Sequence, residues 1–562
     1  MKRAIVSTIA VVCLLLAGDR ALAGPAQIVI VNINAPGVGF NDPTPAAPEG
    51  GNAGATLGEQ RLIAFKYAAE LWAARLNSDV PIRVQAQFIL LGAGVLGSAG
   101  PHSVIRDFPN ASLANTWYHI ALANARAGVD LTPTLPHINA NFSASFPFYL
   151  GLDNNAPPGR PDLVAVLLHE FAHGLGFSQF SNLNTGALFG NSTIGFFPDA
   201  YNSNLLDTVT GKLWSQMTNA ERQASATRFG RVVWNGNYVR DGVPNVLSFG
   251  SPGVQVTNPA TIAGPYQFGT AVFGPRVGDP DVVALVVAAV DAVEVGGTST
   301  NGCSPFTNAT EVVGRIVLIE RGLCGFAVKA RNATNAGAAA VIIYNNLANV
   351  NAGPPGMADD GINGAFVTIP TVSMRRADGL GILGALPAVN VNIGVDLSVR
   401  AGADPFDRAR VFAPFPVAGG SSISHYDSVA FRNLLMEPAI NSDLTHQLKA
   451  PFDLTFELFR DIGWTFPDAD GDGVVDDEDC NPNSNLSPSI VIGGINTGVP
   501  NTLFENGCTS LDLIAQIAAA AQNHGQYVSG VSHLTNQWQA AGVITGRQKG
   551  AVQNAAARTR TF

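Results

Sequence analysis

Residues 162–180 read DLVAVLLHEFAHGLGFSQF, and the fold turns on how this stretch is read. Its apolar run leads into His169, and Gly174 and Gly176 stop it, so it reads as a helix. Asp162, after Pro161, is placed to cap the N-terminus. On a helix His169 and His173 lie four apart and share one face. Glu170 follows the first histidine directly. This is the HExxH spacing, in which two imidazoles hold Zn²⁺ and the carboxylate acts as general base towards water. The plainer reading is a pair of polar residues on a solvated face, or core histidines held by hydrogen bonds. The flanking AVLL is too apolar for a fully solvated helix. A catalytic zinc takes three protein ligands and keeps one position open. This stretch supplies two, and the position six residues after His173 holds Gln179, a poor zinc ligand.

Seven histidines lie outside the motif: His102, His119, His137, His425, His446, His524 and His533. His425 is the best candidate for the third ligand. It lies in GGSSISHYDSVAFRNLLMEPAINS, with Met436 eleven residues on, in a short segment closed by Pro438. A methionine in a tight turn beneath the metal marks one class of zinc enzymes; the alternative is a plain core methionine. Tyr426 is a candidate hydrogen-bond donor and Asp427 a candidate orienter of a ligand imidazole. Each is weighed against an ordinary core or surface residue.

His169, Glu170, His173, Gly176, His425 and Met436 together resemble the metzincin zinc metallopeptidases, and more closely their leishmanolysin-like branch. That resemblance implies Met436 as the Met-turn residue and Gly176 as the turn out of the helix. Gln179 departs from the common metzincin string, as expected for this branch. The third ligand lies 252 residues after His173, an unusually long interval. The interval has its own texture: VVGRIVLIERGLCGFAVKARNATNAGAAAVIIYNN, then IPTVSM at Ile369–Met374, resembles a protease-associated domain. A folded module spliced into a surface loop accounts for the spacing. The bland alternative is an α/β spacer without a role of its own.

Composition bounds the rest. Of 562 residues 46% are hydrophobic and 13% charged, with 60 Gly and 35 Pro, which suits a loop-rich globular protein. The net charge is -10 and no Lys/Arg cluster follows the first residues, which argues against a nucleic-acid partner. Lys2 and Arg3 precede an apolar run ending at Ala17, and Ala21-Leu22-Ala23 is a cleavage-like site. The expectation is a secretory signal over 1–23, with no stable membrane anchor. Cys13 leaves with it. Cys303, Cys324, Cys480 and Cys508 remain, and of three possible pairings sequence spacing favours 303–324 and 480–508.

Local patterns place strands at Gln27–Asn34, Ile82–Leu91 and Phe142–Leu150, and helices at Leu57–Leu76, Trp117–Ala125 and Leu213–Gln223. A strand at Arg315–Glu320, a helix at Phe326–Gly337 and a strand at Ala340–Tyr344 follow, and a helix at Pro451–Gly463 closes the catalytic part. Beyond Trp464, DADGDGVVDDED places Asp468, Asp470, Asp472, Asp476, Asp477 and Asp479 as oxygen ligands suited to Ca²⁺, with Gly473 allowing a tight turn. With Cys480 the run resembles a thrombospondin type 3 repeat; a solvated acidic linker is the alternative. The last segment is Ala/Gln-rich and helical by propensity, and resembles tails of secreted bacterial proteins.

The expected architecture is α+β. A metzincin-like zinc peptidase domain, a mixed sheet plus the active-site helix, is interrupted by an α/β protease-associated domain and followed by a small helical C-terminal module. The expected boundaries are 24–274 and 404–466 for the catalytic parts and 275–403 for the protease-associated domain. A calcium repeat at 467–482, a linker at 483–505 and a helical module at 506–562 complete it. The resemblance implies a secreted zinc endopeptidase acting on protein or peptide, with structural calcium. The alternatives are a non-catalytic binding or surface protein that keeps the fold, and an aminopeptidase. Nothing in the sequence fixes an oligomeric state.

Overall fold

In this computed structural model the described residues are 25–472, 474–476, 478–504 and 506–559. The expected signal segment, Cys13, Gly473 and Asp477 lie outside them. The chain divides into two compact units. One comprises Ala26–Ala73 and Val80–Thr465; the other holds Phe466 onward with Ala74–Asp79. Among the described residues no helix is long and apolar enough to cross a membrane.

The larger unit begins with β1 (Ile28–Asn32), α1 (Leu57–Ala73), β2 (Ile82–Ile89), β3 (Gly97–Pro101), α2 (Ile120–Ala127), β4 (Ile138–Ser143) and α3 (Leu163–Leu175). The strands form one sheet in the order β1-β2-β4-β3. β1, β2 and β4 run parallel, while β3 lies antiparallel to β4 at the edge. β2 alternates as a half-buried strand should: Ile82, Val84, Ala86 and Phe88 are buried and the residues between them are not. Phe65 of α1 packs between the sheet and α3, with ring centroids 4.8 Å from Phe142 and 6.0 Å from Phe171. Trp72 Nε1 donates to the Leu168 carbonyl at 3.2 Å, so α1 and α3 are also tied by a polar bond.

Expectations for several elements are corrected by the structure. The strand expected at Phe142–Leu150 is β4, which starts earlier and ends at Ser143, because INANFS alternates with Asn139 and Asn141 on its less buried face. The helix expected over Leu213–Gln223 is a 3₁₀ turn (Trp214–Gln216) followed by a short helix (Asn219–Ser225). Thr218 starts that second piece with a capping box to Glu221, which breaks the expected continuity.

The inserted module is built on an eight-stranded sheet. Its strands are β5 (Phe249–Asn258), β6 (Gly264–Tyr266), β7 (Gly269–Thr270), β8 (Val282–Ala288), β9 (Ile316–Glu320), β10 (Ala340–Tyr344), β11 (Thr371–Met374) and β12 (Asn390–Arg400), in the order β6-β5-β12-β8-β9-β10-β11-β7. β8 to β11 pair in parallel and the outer strands antiparallel. Helix α4 (Phe326–Asn335) connects the parallel strands β9 and β10, α5 (Arg376–Gly384) leads from β11 to the antiparallel β12, and a separate apolar cluster fills each face of the sheet. The sheet draws β5, β6 and β7 from before residue 275, where the module was expected to start. SPGVQVTN carries Gly and Pro, which mask the strand pattern. α6 (Thr455–Ile462) then closes the unit.

The smaller unit pairs a hairpin, β13 (Ser489–Ile492) and β14 (Ile495–Pro500), with three helices, α7 (Ser510–Ala520), α8 (His524–Ala540) and α9 (Gly546–Arg558). Val531, Trp538, Val552 and Ala556 share its core. The hairpin falls inside 483–505, so the stretch expected as a linker is part of the folded module. Both expected disulfides are present, Cys303–Cys324 and Cys480–Cys508.

Candidate active site

The site is organised by α3, in which every residue from Leu163 to Leu175 is buried. Asp162 caps it, accepting from the Val164 N–H at 2.8 Å, and its other oxygen lies 3.0 Å from His446 Nε2. At the far end Gly176 lets the chain leave: a Cβ there would fall 2.4 Å from Ile462 Cδ1 of α6. Trp464 Nε1 donates to the Leu175 carbonyl at 3.0 Å, satisfying an orphan acceptor of the last turn.

The structure brings His169, His173 and His425 together across the 252-residue interval. Their Nε2 atoms lie 3.1 Å (169–173), 3.2 Å (173–425) and 3.2 Å (169–425) apart. Each Nδ1 faces a backbone carbonyl: Leu435 O at 2.7 Å for His169, Phe177 O at 2.7 Å for His173 and Ser421 O at 2.8 Å for His425. A carbonyl only accepts, so each Nδ1 carries the hydrogen and, in the neutral ring, each Nε2 presents a lone pair. Burial keeps the rings neutral, pushing His169 down to about 4 and His425 to about 3; His173 falls well below its ordinary value, from burial and from its two histidine neighbours. Three lone pairs therefore converge with no donor among them. A cation relieves that arrangement. Nitrogens sharing a tetrahedral zinc at ~2.0–2.1 Å sit about 3.3 Å from one another, close to the separations here. The donor set fits zinc.

Glu170 lines the same cavity and is 7% exposed. Burial raises its carboxyl to about 8, partly offset by the Ala99 N–H that donates to it. Gly97 makes room: a Cβ there would lie 3.0 Å from Glu170 Cγ and Oε1. The cavity measures about 760 Å³, and Gly97–Ala99 of β3, Gly419–Ser421 and Pro438–Ile440 wall it along with the histidines.

Met436 is fully buried in a turn closed by the Glu437 N–H to the Leu434 carbonyl at 3.2 Å. Its own carbonyl accepts from the Tyr426 N–H at 2.8 Å, next to His425, and the carbonyl of neighbouring Leu435 holds His169. The turn is thus bonded to the surroundings of two of the three histidines. Asp453 Oδ2 braces it by accepting from the Leu435 N–H at 2.6 Å.

Two candidate roles fall away. Tyr426 points its hydroxyl to the Leu454 carbonyl at 3.1 Å, in the core, and does not line the cavity. Asp427 accepts from the Val429 N–H and touches no ligand imidazole; the backbone carbonyls do that work. Those carbonyls, Gly97 and Asp453 were missed by the sequence reading. Carbonyls leave no side-chain signal, and Gly97 is one glycine among several in LGAGVLGSAG. Gln179 lines a small neighbouring cavity with His173 but is not bonded to the three histidines, its Oε1 accepting from the Ser181 N–H.

In the smaller unit, carboxylate oxygens of Asp468, Asp470 and Asp472 gather within 4.8 Å of one another. Asp476 and Asp479 are outside that group: Asp476 accepts from the Ala469 N–H and Asp479 from the Asn481 N–H. One oxygen of Asp472 and one of Asp479 are buried without a hydrogen-bond partner among the described residues. Asp472 is pushed up by burial and by the charges of Asp470, Asp479 and Asp468. Crowded carboxylates with orphaned oxygens fit a hard cation.

A PA domain occupies residues 282–382, by similarity to that family. Curated relatives match over short stretches. A probable leucine aminopeptidase 2 of Aspergillus oryzae is 34% identical over 125 residues, 22% of this chain and 25% of that protein. An ER degradation-enhancing alpha-mannosidase-like protein 3 of Homo sapiens is 41% identical over 90 residues, 16% and 10%. An aminopeptidase of Pseudomonas aeruginosa is 49% identical over 65 residues, 12% of each. The chain thus spans a quarter or less of the length of these relatives. Among solved structures, a zinc aminopeptidase from Bacillus subtilis aligns over 28% of this chain and 35% of its own at 21% identity, with a TM-score of 0.19, too low to carry a fold argument. Relatives named for different activities each match over 65 to 125 residues, a length nearer to one module than to a whole catalytic chain.

Proposed function

We propose that the protein is a zinc-dependent peptidase of the metzincin kind, cleaving within peptide chains, with His169, His173 and His425 as the zinc ligands. The observation that carries this reading is the convergence of three Nε2 lone pairs beside a buried carboxylate in an open cavity. Zinc held there would supply Lewis acidity, acidifying water and polarising the scissile carbonyl. The chain's own residues do the rest. Glu170 takes a proton from the attacking water and hands it to the leaving amine. Burial raises its proton affinity, the charge of a bound zinc would lower it again, and the Ala99 N–H holds the carboxylate in place. The three carbonyls on Nδ1 fix the tautomer and the ring orientations.

An aminopeptidase is the second reading, favoured by the names of several relatives. The cavity argues for internal cleavage. Glu170 is the only acidic residue among those lining it, and it is committed as the base, so no second carboxylate among the described residues stands ready for a substrate's α-ammonium group. Peptides with blocked N-termini should be cleaved as well as free ones; strict dependence on a free N-terminus would favour the aminopeptidase. The reading further takes Asp468, Asp470 and Asp472, with Asp476 and Asp479 flanking, as a structural calcium site. It places the protein in an oxidising, extracellular location, supported by its two disulfides.

The test compares casein cleavage and zinc content in wild type, Glu170→Ala and His425→Ala. Glu170→Ala is expected to keep zinc and lose activity by ~10²–10⁴-fold. His425→Ala is expected to lose both. Unchanged activity with full zinc in His425→Ala would overturn the ligand assignment.

A further inference from the structure

A second cavity lies between the inserted sheet and the catalytic part, about 380 Å³ in volume. It is walled by Arg228, Arg231, Pro265, Gln267, Arg375 and Phe415 among others. Two of its three arginines are already matched. Arg228 pairs with Asp207 at 2.6 Å, and Arg375 pairs with Asp378 at 2.6 Å while lying 4.7 Å over the Phe415 ring. Arg231 is different. Its side chain makes no ion pair or hydrogen bond among the described residues. Its guanidinium lies against the backbone of Gly264, where an added Cβ would fall 2.6 Å from Nη2. Arg410 stands close behind: its Nη1 would be 3.9 Å from a Cβ on Gly230, the residue before Arg231. Arg410 also has no ion pair among the described residues, and its Nε is buried without a partner. The acid whose field it feels, Asp427, does not reach ion-pair distance.

Arg231 thus faces the cavity without a matching acid, its charge disfavoured by burial and by Arg410 nearby. The Asp207 charge favours the Arg231 cation less than burial and Arg410 oppose it, and the Asp207 carboxylate is bonded to Arg228 and to the Val209 and Thr210 N–H groups. Gln267 adds to the donors, since its Oε1 accepts from the Phe415 N–H at 2.8 Å and leaves its amide nitrogen free of protein bonds among the described residues. Beside these donors the lining mixes Phe229, Ile262, Ala263, Pro265 and Phe415 with Thr227, Thr261, Tyr266 and Asp378, whose carboxylate is matched by Arg375. A bare inorganic anion would use the charge and leave the apolar part of this surface unfilled. A carboxylate attached to an apolar body uses both, in a volume ordinary for a ligand site.

We propose that this cavity binds the carboxylate of a peptide, with Arg231 as its principal cationic contact and Arg410 reinforcing the field. The carboxylate is either a C-terminus or an acidic side chain. The location gives binding a route to the catalytic part. Phe415 begins the segment that continues to Gly419, Gly420 and Ser421, which wall the histidine cavity, and Ser421 holds His425. The proposal does not depend on the zinc reading.

The test is calorimetric titration of full-length Glu170→Ala protein, which removes turnover, with three peptides: N-acetyl-Ala-Ala-Phe as the free acid, the same peptide amidated, and N-acetyl-Ala-Glu-Phe-amide. The free acid is expected to bind at least about tenfold more tightly than its amide, and more weakly as salt rises. If the glutamate peptide recovers the affinity of the free acid, a side chain serves as the source; if it does not, the C-terminus does. Adding Arg231→Gln should cost about tenfold for the carboxylate peptides with the amide unmoved, and Arg231→Lys should restore part of the loss. Equal binding of acid and amide, or wild-type affinity in both Arg231 variants, would overturn the proposal. So would inorganic phosphate saturating the cavity with no competition from either carboxylate peptide.

Discussion

At the scale of single residues, the site depends on which ring nitrogen carries the proton. Each Nδ1 is committed to a carbonyl, and burial keeps His169 and His425 neutral well below the ordinary histidine range. Protons therefore compete poorly for the Nε2 atoms. The sign is definite: a lowered pKa extends metal binding towards acid. Zinc retained after dialysis should persist as pH falls through about 6.5 and be lost only in more acidic buffer. Release with a midpoint at about 6.5 or above would show that the rings titrate like exposed histidines. The same depression costs stability in the metal-free protein on acidification. The unfolded chain takes up protons below about 6.5 and the folded site does not, so folding weakens as pH falls through that window. Urea denaturation of the metal-free protein across about pH 7 to 5 measures this.

At the scale of elements, α3 is a buried helix held at both ends by named bonds. Asp162 is its cap and also meets His446. Asp162→Ala should cost about 1 kcal/mol for the cap, and up to ~2 kcal/mol in total because His446 would then stand without its carboxylate, read by urea denaturation. No measurable cost would mean the buried apolar face alone holds the helix. Much of this element was legible. The helical period set His169 and His173 on one face, the Pro161–Asp162 pair marked the start, and Gly176 marked the end. β4 was less legible because Asn139 and Asn141 sit in its alternation, and Phe146–Leu150 imitates a strand more strongly than it does. β5 was hidden by Pro252 and Gly253, and β6 and β7 by being only three and two residues long. What orients the three imidazoles is backbone oxygen, which any residue supplies, so no side-chain pattern could announce Leu435, Phe177 or Ser421.

At the scale of the molecule, a site whose third histidine follows a whole inserted sheet needs both parts of the catalytic region in register. His425 was legible because Met436 follows it at a telling interval, and the inserted module was legible through GRIVLIERGLCGFAVKARNATNAGAAAVIIYNN. The extent of the inserted sheet was not, since three of its strands precede that signature. The Cys303–Cys324 bond spans a sequence separation of 21 beside β9 and α4. Replacing both cysteines with alanine should destabilise this module by ~3 kcal/mol. The loss should appear as reduced hydrogen-exchange protection in β9 and β10, with α3 unchanged; equal losses in both would show that the module and the catalytic part unfold as one. The central claim is that His169, His173 and His425 together hold one zinc. Its most direct test is zinc stoichiometry by elemental analysis of wild type, His425→Ala and, as control, the exposed His533→Ala. Wild type and the control should each carry one zinc per chain, and His425→Ala should lose it. A wild type purified with zinc available that binds none, or a His425→Ala protein that keeps a full equivalent, would contradict it.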